Sequence, residues 1–287
     1  MNETEFSVFE RSGLAALSDI QRPEWLDLFN HLEQGQTEFL AKEENFRSPM
    51  YIWPRDSLHT WSRIWEYPYV YYHLRSRLRT ISCLSLPKVV DVGCGVTFFP
   101  FSIAKLGCHV ICTDIDPTCK TDIERAAQHV SQGDGKIEFR LTSSALLPLI
   151  DGEADVVYCI SVLEHIPEFE ETVEEIARIL KPGGLLILTI DIDLKGNAEI
   201  GTQGYKRLTE CLAKKFNLMN HETTIHPGDL LTSTTGPYPM HNASVRQLLW
   251  FWTKQWLIKP LLGRKPIRNM NLRLAVFGSV LEKKRNI

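Results

Sequence analysis

A chain of 287 residues that is 44% apolar and 23% charged carries enough apolar side chain for a sizeable core, which excludes an intrinsically disordered chain. A net charge of −3 gives no overall pull toward nucleic acid, and no apolar run approaches the ~20 residues needed to span a bilayer. The charge is uneven: His241 to Ile287 holds ten Lys/Arg against one acid, Glu282, a balance of +9 that leaves −12 for the rest. Such an end either meets something anionic or is a solvated basic face.

Seven cysteines without a CxxC pair, several of them in apolar runs, point to reduced intracellular thiols rather than a disulfide framework or a zinc site. The opening MNETEFSVFERSG is acidic and has no positive lead before an apolar run, so no secretory leader is expected and the protein is read as cytoplasmic.

In chain order, residues 1–87 form an aromatic- and arginine-rich extension expected to be helical. In it, Trp61, Trp65 and Tyr69 fall at i, i+4, i+8, the core stripe of a helix. The same segment also reads as a lid, with Arg63, Glu66 or Tyr67 reaching a ligand. Residues 88–226 alternate short β-branched runs with helical patterns. Strands are expected at 88–92, 109–116, 136–141, 154–160, 185–192 and 218–226, and helices at 99–107, 118–131, 167–184 and 205–216. This alternation is the pattern of a parallel sheet covered on both faces, with its ligand at the carboxyl ends of the strands. Residues 227–270 read as an insertion shaping an acceptor site, and 271–287 as a final strand and basic tail.

The sharpest signal is Asp91-Val92-Gly93-Cys94-Gly95, closing the first of the core strands. A glycine turn there lets backbone approach a ligand, and the helix that follows presents N–H groups and a positive dipole end. Both S-adenosylmethionine (SAM) and a dinucleotide use such a turn. The third glycine of the dinucleotide fingerprint is replaced here by Phe98, which would crowd a pyrophosphate. Asp91 would repel that pyrophosphate but suits the ammonium of SAM. Asp114 ends the next strand at a spacing that suits ribose hydroxyls, with Asp116 as an alternative.

DVGCG, followed in order by VICTDIDP, ADVVYCISVLEHI and LKPGGLLIL, resembles the class I SAM-dependent methyltransferases of the methyltransferase domain 11/25 type, over roughly Lys88 to Ile192. The resemblance implies Asp91, Gly93 and Gly95 around the methionine portion of SAM, Asp114 at the ribose, and contacts from Ile160 and Ser161. Two positions depart from the pattern: Thr97 stands where many members have a third glycine, and Ser143 and Ser144 stand where many have an adenine-side Asp. The expected fold is α/β: a doubly wound, mostly parallel Rossmann-like sheet with an antiparallel last strand, an N-terminal helical extension and a C-terminal insertion.

Methyl transfer to a hydroxyl needs a general base. The candidates beyond the strand ends are His165, Asp191 and Asp193, with His226 and Asp229 as weaker ones. Two acids there would also suit a sugar hydroxyl; no ligand pattern supports a metal. The stretch 244–265 combines Trp250, Phe251, Trp252 and Trp256 with cations and no acids. It suits a peripheral membrane contact, the wall of a pocket for an anionic or lipid-linked saccharide, or a dimer face. The function expected is methylation of a small-molecule or glycan hydroxyl, with no nucleic-acid partner. The alternatives are a non-catalytic SAM- or partner-binding module and an NAD-dependent oxidoreductase.

Overall fold

The computed structural model describes residues 7–81, 85–143, 146–195, 200–240 and 273–285. Ser144 and the whole Trp-rich stretch 244–265 lie outside them.

Among the described residues nine strands form one sheet: β1 (Arg11–Leu14), β2 (Lys88–Val92), β3 (His109–Asp114), β4 (Lys136–Leu141), β5 (Ala154–Ile160), β6 (Leu180–Asp193), β7 (Phe216–Leu218), β8 (His221–Thr223) and β9 (Leu274–Lys283). Their order is β4-β3-β2-β5-β6-β9-β1-β8, with β7 also on β9. The pairs β3–β4, β2–β3, β2–β5 and β5–β6 are parallel, and β9 runs antiparallel to β6. Among the described residues six α-helices accompany them: α1 (Pro23–Leu40), α2 (Arg63–Leu78), α3 (Phe99–Ala104), α4 (Pro117–His129), α5 (Phe169–Ile179) and α6 (Thr202–Lys215).

Because successive residues of a strand face opposite sides, each central strand feeds two cores. Val89, Cys112, Val156, Tyr158 and Ile187 join residues of α1 to α4 in one; Val90, Ile111, Val157, Cys159 and Leu186 join α5 and α6 in the other. The doubly wound architecture with an antiparallel last strand is therefore present.

Three local expectations change. The N-terminal extension is not helical throughout, since β1 enters the sheet, antiparallel to β9 and parallel to β8. The helix expected at 167–184 leaves α-geometry at Ile179, and Leu180 already pairs with Ala154 of β5. Pro182 has no N–H to continue a helix, and the register shifts between Ala154 and Val156 to accommodate Pro182-Gly183-Gly184. The strand expected at 218–226 is two short ones serving different neighbours, β7 on β9 and β8 on β1.

Helix α2 is the element that positions the site. Trp65 and Tyr69 of the expected stripe stack on each other, and Trp65 continues through Trp25 to Phe9 as a column of rings. Each indole N–H is satisfied: Trp25 donates to the Ile64 carbonyl at 3.1 Å and Trp65 to the buried Asp19 carboxylate at 2.7 Å. Trp65 lies so close to β9 that a Cβ on Gly278 would come within 2.6 Å of its ring. Gly278→Val is therefore expected to cost about 1–3 kcal/mol through overpacking. A thermal unfolding midpoint several degrees below wild type checks this, and an unchanged midpoint refutes it.

Candidate functional site

The glycine turn closes β2 by hydrogen bonds that the next strand supplies. The N–H groups of Gly93 and Cys94 both donate to the Thr113 carbonyl, at 2.9 and 3.1 Å. Gly95 N–H donates to Asp114 Oδ2 at 2.9 Å, and Val96 N–H to the Tyr51 hydroxyl at 3.0 Å. Gly93 and Gly95 adopt φ of +74° and +54°, a backbone that other residues rarely take. A Cβ on Gly93 would sit 2.5 Å from Val162, just past the end of β5.

These four donors are the ones a phosphate-binding turn would offer to an anion. Here each is already spent on a protein oxygen, so the turn is built for something other than a pyrophosphate. The charge beside it agrees. Asp91 is 5% exposed and accepts from the Tyr158 hydroxyl at 2.8 Å. Burial raises its carboxyl pKa to about 8; the neighbouring Asp114 adds to the rise, while the Tyr158 hydrogen bond and Arg63 oppose it. A buried carboxylate so far from its ordinary range is one to which a cationic ligand would be complementary.

Asp114 accepts from Gly95 N–H and, through Oδ1 at 3.0 Å, from Asp116 N–H. The alternative acid, Asp116, is the N-cap of α4, accepting from Thr118 N–H at 2.8 Å. That role satisfies an orphan helix donor and leaves Asp114 as the strand-end acid of the site. Ser143 follows closely, since Thr142 N–H donates to the Asp114 carbonyl at 3.0 Å.

Across the turn, Ile160 ends β5 and Ser161 follows it with a positive φ of 49°, strained for a residue with a Cβ. Its hydroxyl donates to Glu66 Oε1 at 2.7 Å, as does the Thr189 hydroxyl of β6 at 2.6 Å. Arg63 pairs with Glu66 and reaches Ser161 Oγ at 2.9 Å. Burial works against the Arg63 charge, but Glu66, Tyr67 and Asp191 outweigh it and raise the guanidinium pKa above its ordinary value. Of the three residues expected to reach inward from this segment, Arg63 keeps 23% of its side chain exposed, whereas Glu66 is wholly buried and Tyr67 nearly so.

Asp191 lies at the end of β6, half-buried, and its N–H donates to Glu164 Oε1 at 2.9 Å. The other oxygen of Glu164 is buried without a hydrogen-bond partner, and burial lifts this carboxyl to about 7. His165 is exposed one residue on. Asp193, by contrast, is 2% exposed and accepts from Lys195 N–H at 2.8 Å, closing the turn that follows β6.

Sequence reasoning missed four contributors. Tyr158 stands directly beside Asp91 in the β2–β5 register, a neighbour that only strand pairing reveals. Tyr51 and Arg47 come from an irregular stretch with no periodicity; Arg47 donates to the Val96 carbonyl at 3.3 Å and lies 5.0 Å from the Tyr51 ring centre. Glu164 was legible only as the neighbour of His165. Among the described residues no group of three His, Cys, Asp or Glu could hold a metal ion, and no helix is long and apolar enough to cross a membrane. Because the Tyr158 hydroxyl favours the ionised form of Asp91, Tyr158→Phe is expected to raise the carboxyl pKa beyond about 8. Carbon-13 NMR titration of the side-chain carboxyls, with Asp91→Asn to assign the signal, checks this; a fall or no change refutes it.

The methyltransferase-domain family profile matches residues 90–188. The ubiquinone biosynthesis O-methyltransferase of Xanthomonas oryzae pv. oryzae is 34% identical over 103 residues, 36% of this chain and 42% of the relative. That of Cupriavidus pinatubonensis is 34% identical over 117 residues, 40% of this chain and 46% of the relative. The match thus spans less than half the length of these curated relatives. Among solved structures, the YcgJ protein of Bacillus subtilis aligns with a TM-score of 0.51 at 15% identity, over 75% of this chain and 100% of its own. The 4+2 cyclase SpnF aligns with a TM-score of 0.50 at 16% identity, over 96% and 100%. Both likenesses concern the fold. Residues 90–188, which hold the four motifs in order on strands of the doubly wound sheet, match a methyltransferase domain.

Proposed function

We propose that the protein transfers a methyl group from SAM to a hydroxyl oxygen of a small-molecule or saccharide acceptor, at the carboxyl ends of β2, β5 and β6. The observation that carries this reading is a buried acid beside the glycine turn, Asp91, with the Arg63 guanidinium held on Ser161 just past β5 and near enough to lower the acid's pKa. The aminoacyl end of SAM is a zwitterion of matching sense. Asp91 would take its ammonium and Arg63 its carboxylate, while Gly93 and Gly95 keep the turn free of side chains. Asp114 would accept from the ribose hydroxyls, Ser143 or Ser144 would meet the adenine edge, and Ile160 and Ser161 would wall the methionine portion.

SAM when bound supplies a methyl group already activated by its sulfonium. The residues must then align the acceptor, exclude water and take a proton from the hydroxyl. Asp191 is the favoured base, because it is half-buried at the strand end and Glu164 holds its backbone. His165 is the second candidate, and Asp193, committed to its own turn, the third. The relatives' name, O-methyltransferase, supports oxygen as the methylated atom. An anionic or lipid-linked acceptor and a membrane or dimer contact through 244–265 remain part of the proposal from the sequence. A second reading, a SAM- or partner-binding module without catalysis, is motivated by Thr97 and Ser143, which depart from the family pattern. Release of S-adenosylhomocysteine during incubation with SAM and a panel of hydroxylated acceptors separates the two.

Binding is tested by calorimetry with S-adenosylhomocysteine. Asp91→Ala and Asp114→Ala are expected to abolish measurable affinity, and retention of wild-type affinity in both would sink the site assignment. The pH dependence has a definite sign. Without a cation Asp91 keeps its proton up to about pH 8, and an ammonium ligand requires the ionised form, so binding expels a proton below that pH. Affinity is expected to weaken roughly tenfold per pH unit from pH 8 down to pH 6, and Asp91→Asn to flatten the profile. A flat wild-type profile contradicts the role given to Asp91.

A further inference from the structure

The least explained charge in the fold is Glu66. It has no exposed surface, yet it carries a carboxylate, and a charge taken out of water is costly unless it is paired and fully hydrogen-bonded. Its two oxygens have separate duties. Oε1 accepts from the hydroxyls of Ser161, just past β5, and Thr189, within β6, at 2.7 and 2.6 Å. Oε2 pairs with Arg63, one turn earlier on α2. The two strands therefore fix the plane of the carboxylate, and the carboxylate fixes the guanidinium.

Helix α2 cannot slide to relax this arrangement. Trp65, next to Glu66, is tied to Asp19 and pressed against Gly278 of β9. Among the described residues the side-chain hydrogen bonds of Arg63 are made through Nη1, to Ser62, Glu66 and Ser161. One corner of the guanidinium fork is thus anchored, while part of the side chain remains exposed beside the strand ends. An arginine loses much rotamer freedom when it grips a ligand; one already held in place loses less on binding.

We propose that Glu66 is a positioning residue for the cofactor: it holds the Arg63 guanidinium aimed at the aminoacyl carboxylate, between the ends of β5 and β6. This rests on the reading of Arg63 given above. Ser161 and Thr189 orient Glu66, Glu66 orients Arg63, and Arg63 meets the ligand.

The test uses two nucleosides that differ at the aminoacyl end. S-adenosylhomocysteine carries the carboxylate; methylthioadenosine keeps the adenosine and the sulfur but lacks it. Both are titrated by calorimetry into full-length wild type, E66Q and R63M. E66Q is expected to weaken S-adenosylhomocysteine by about tenfold or more while methylthioadenosine stays within about twofold, since only the first ligand uses the charge-assisted contact. R63M is expected to show the same selectivity. Equal weakening of both ligands in E66Q, or no weakening of either, overturns the proposal: the first outcome makes Glu66 a strut for the strand ends, the second makes it irrelevant to Arg63. In either case selective loss in R63M leaves the reading of Arg63 standing, whereas unselective loss in R63M removes that reading and this proposal together. Should E66Q lose its native circular dichroism, E66D keeps the charge on a shorter arm. It is then expected to weaken S-adenosylhomocysteine alone, and an equal loss for both ligands again overturns the proposal.

Discussion

Everything about the site depends on burying one carboxylate beside a turn whose own donors are all taken. Gly93, Cys94, Gly95 and Val96 give their N–H groups to Thr113, Asp114 and Tyr51, so the turn has no dipoles left over for an anion. Asp91, at the foot of that turn, keeps its proton to an unusual pH because burial and the neighbouring Asp114 disfavour its charge more than one phenol and an arginine favour it. The surroundings disfavour negative charge there while the geometry keeps it available. A cation arriving at that spot relieves the conflict, which is why the ligand class follows from electrostatics more directly than from the glycines.

The N-terminal extension belongs to the same argument. Its α2 packs Trp65 and Tyr69 on β9 on one side and sends Arg63 and Glu66 to the ends of β5 and β6 on another. The irregular stretch before it brings Tyr51 and Arg47 onto the glycine turn. Of the two sequence readings of this segment, the core stripe describes the packing of Trp65 and Tyr69. A helix can aim charged groups at a cleft only if another of its faces is fixed by packing.

The strands around the cofactor segment were legible because burial on both faces writes continuous apolar runs in β2 and β5, while the edge strand β4 alternates buried and outward residues: 88–92, 136–141 and 154–160 agree to the residue with β2, β4 and β5. Boundaries failed where local chemistry competes. Pro182-Gly183-Gly184 reads as a helix stop, yet a bulge absorbs it within β6. β1 escaped because four residues, two of them Arg and Gly, carry no period; its strand character comes only from partners far along the chain. In the site, Asp91, Gly93, Gly95 and Asp114 announced themselves by motif spacing. Tyr158 did not, and Glu66 was singled out only as one of three residues reaching a ligand, because what matters about each is a neighbour across strand or helix, which a linear pattern does not encode.

The outer edge of β9 is divided between β7 and β1, so one strand near the end of the chain closes the sheet against β6, β7 and β1 together. During synthesis the parallel strands from β2 to β6 emerge early and close short loops, whereas Gly13 must wait for Gly278 before its pairing exists. The ring column on α2 likewise lacks its floor until that strand arrives. The cleft beside the glycine turn therefore matures last, and a chain halted shortly before β9 would carry its cofactor motif without the helix placement that gives Arg63 its aim.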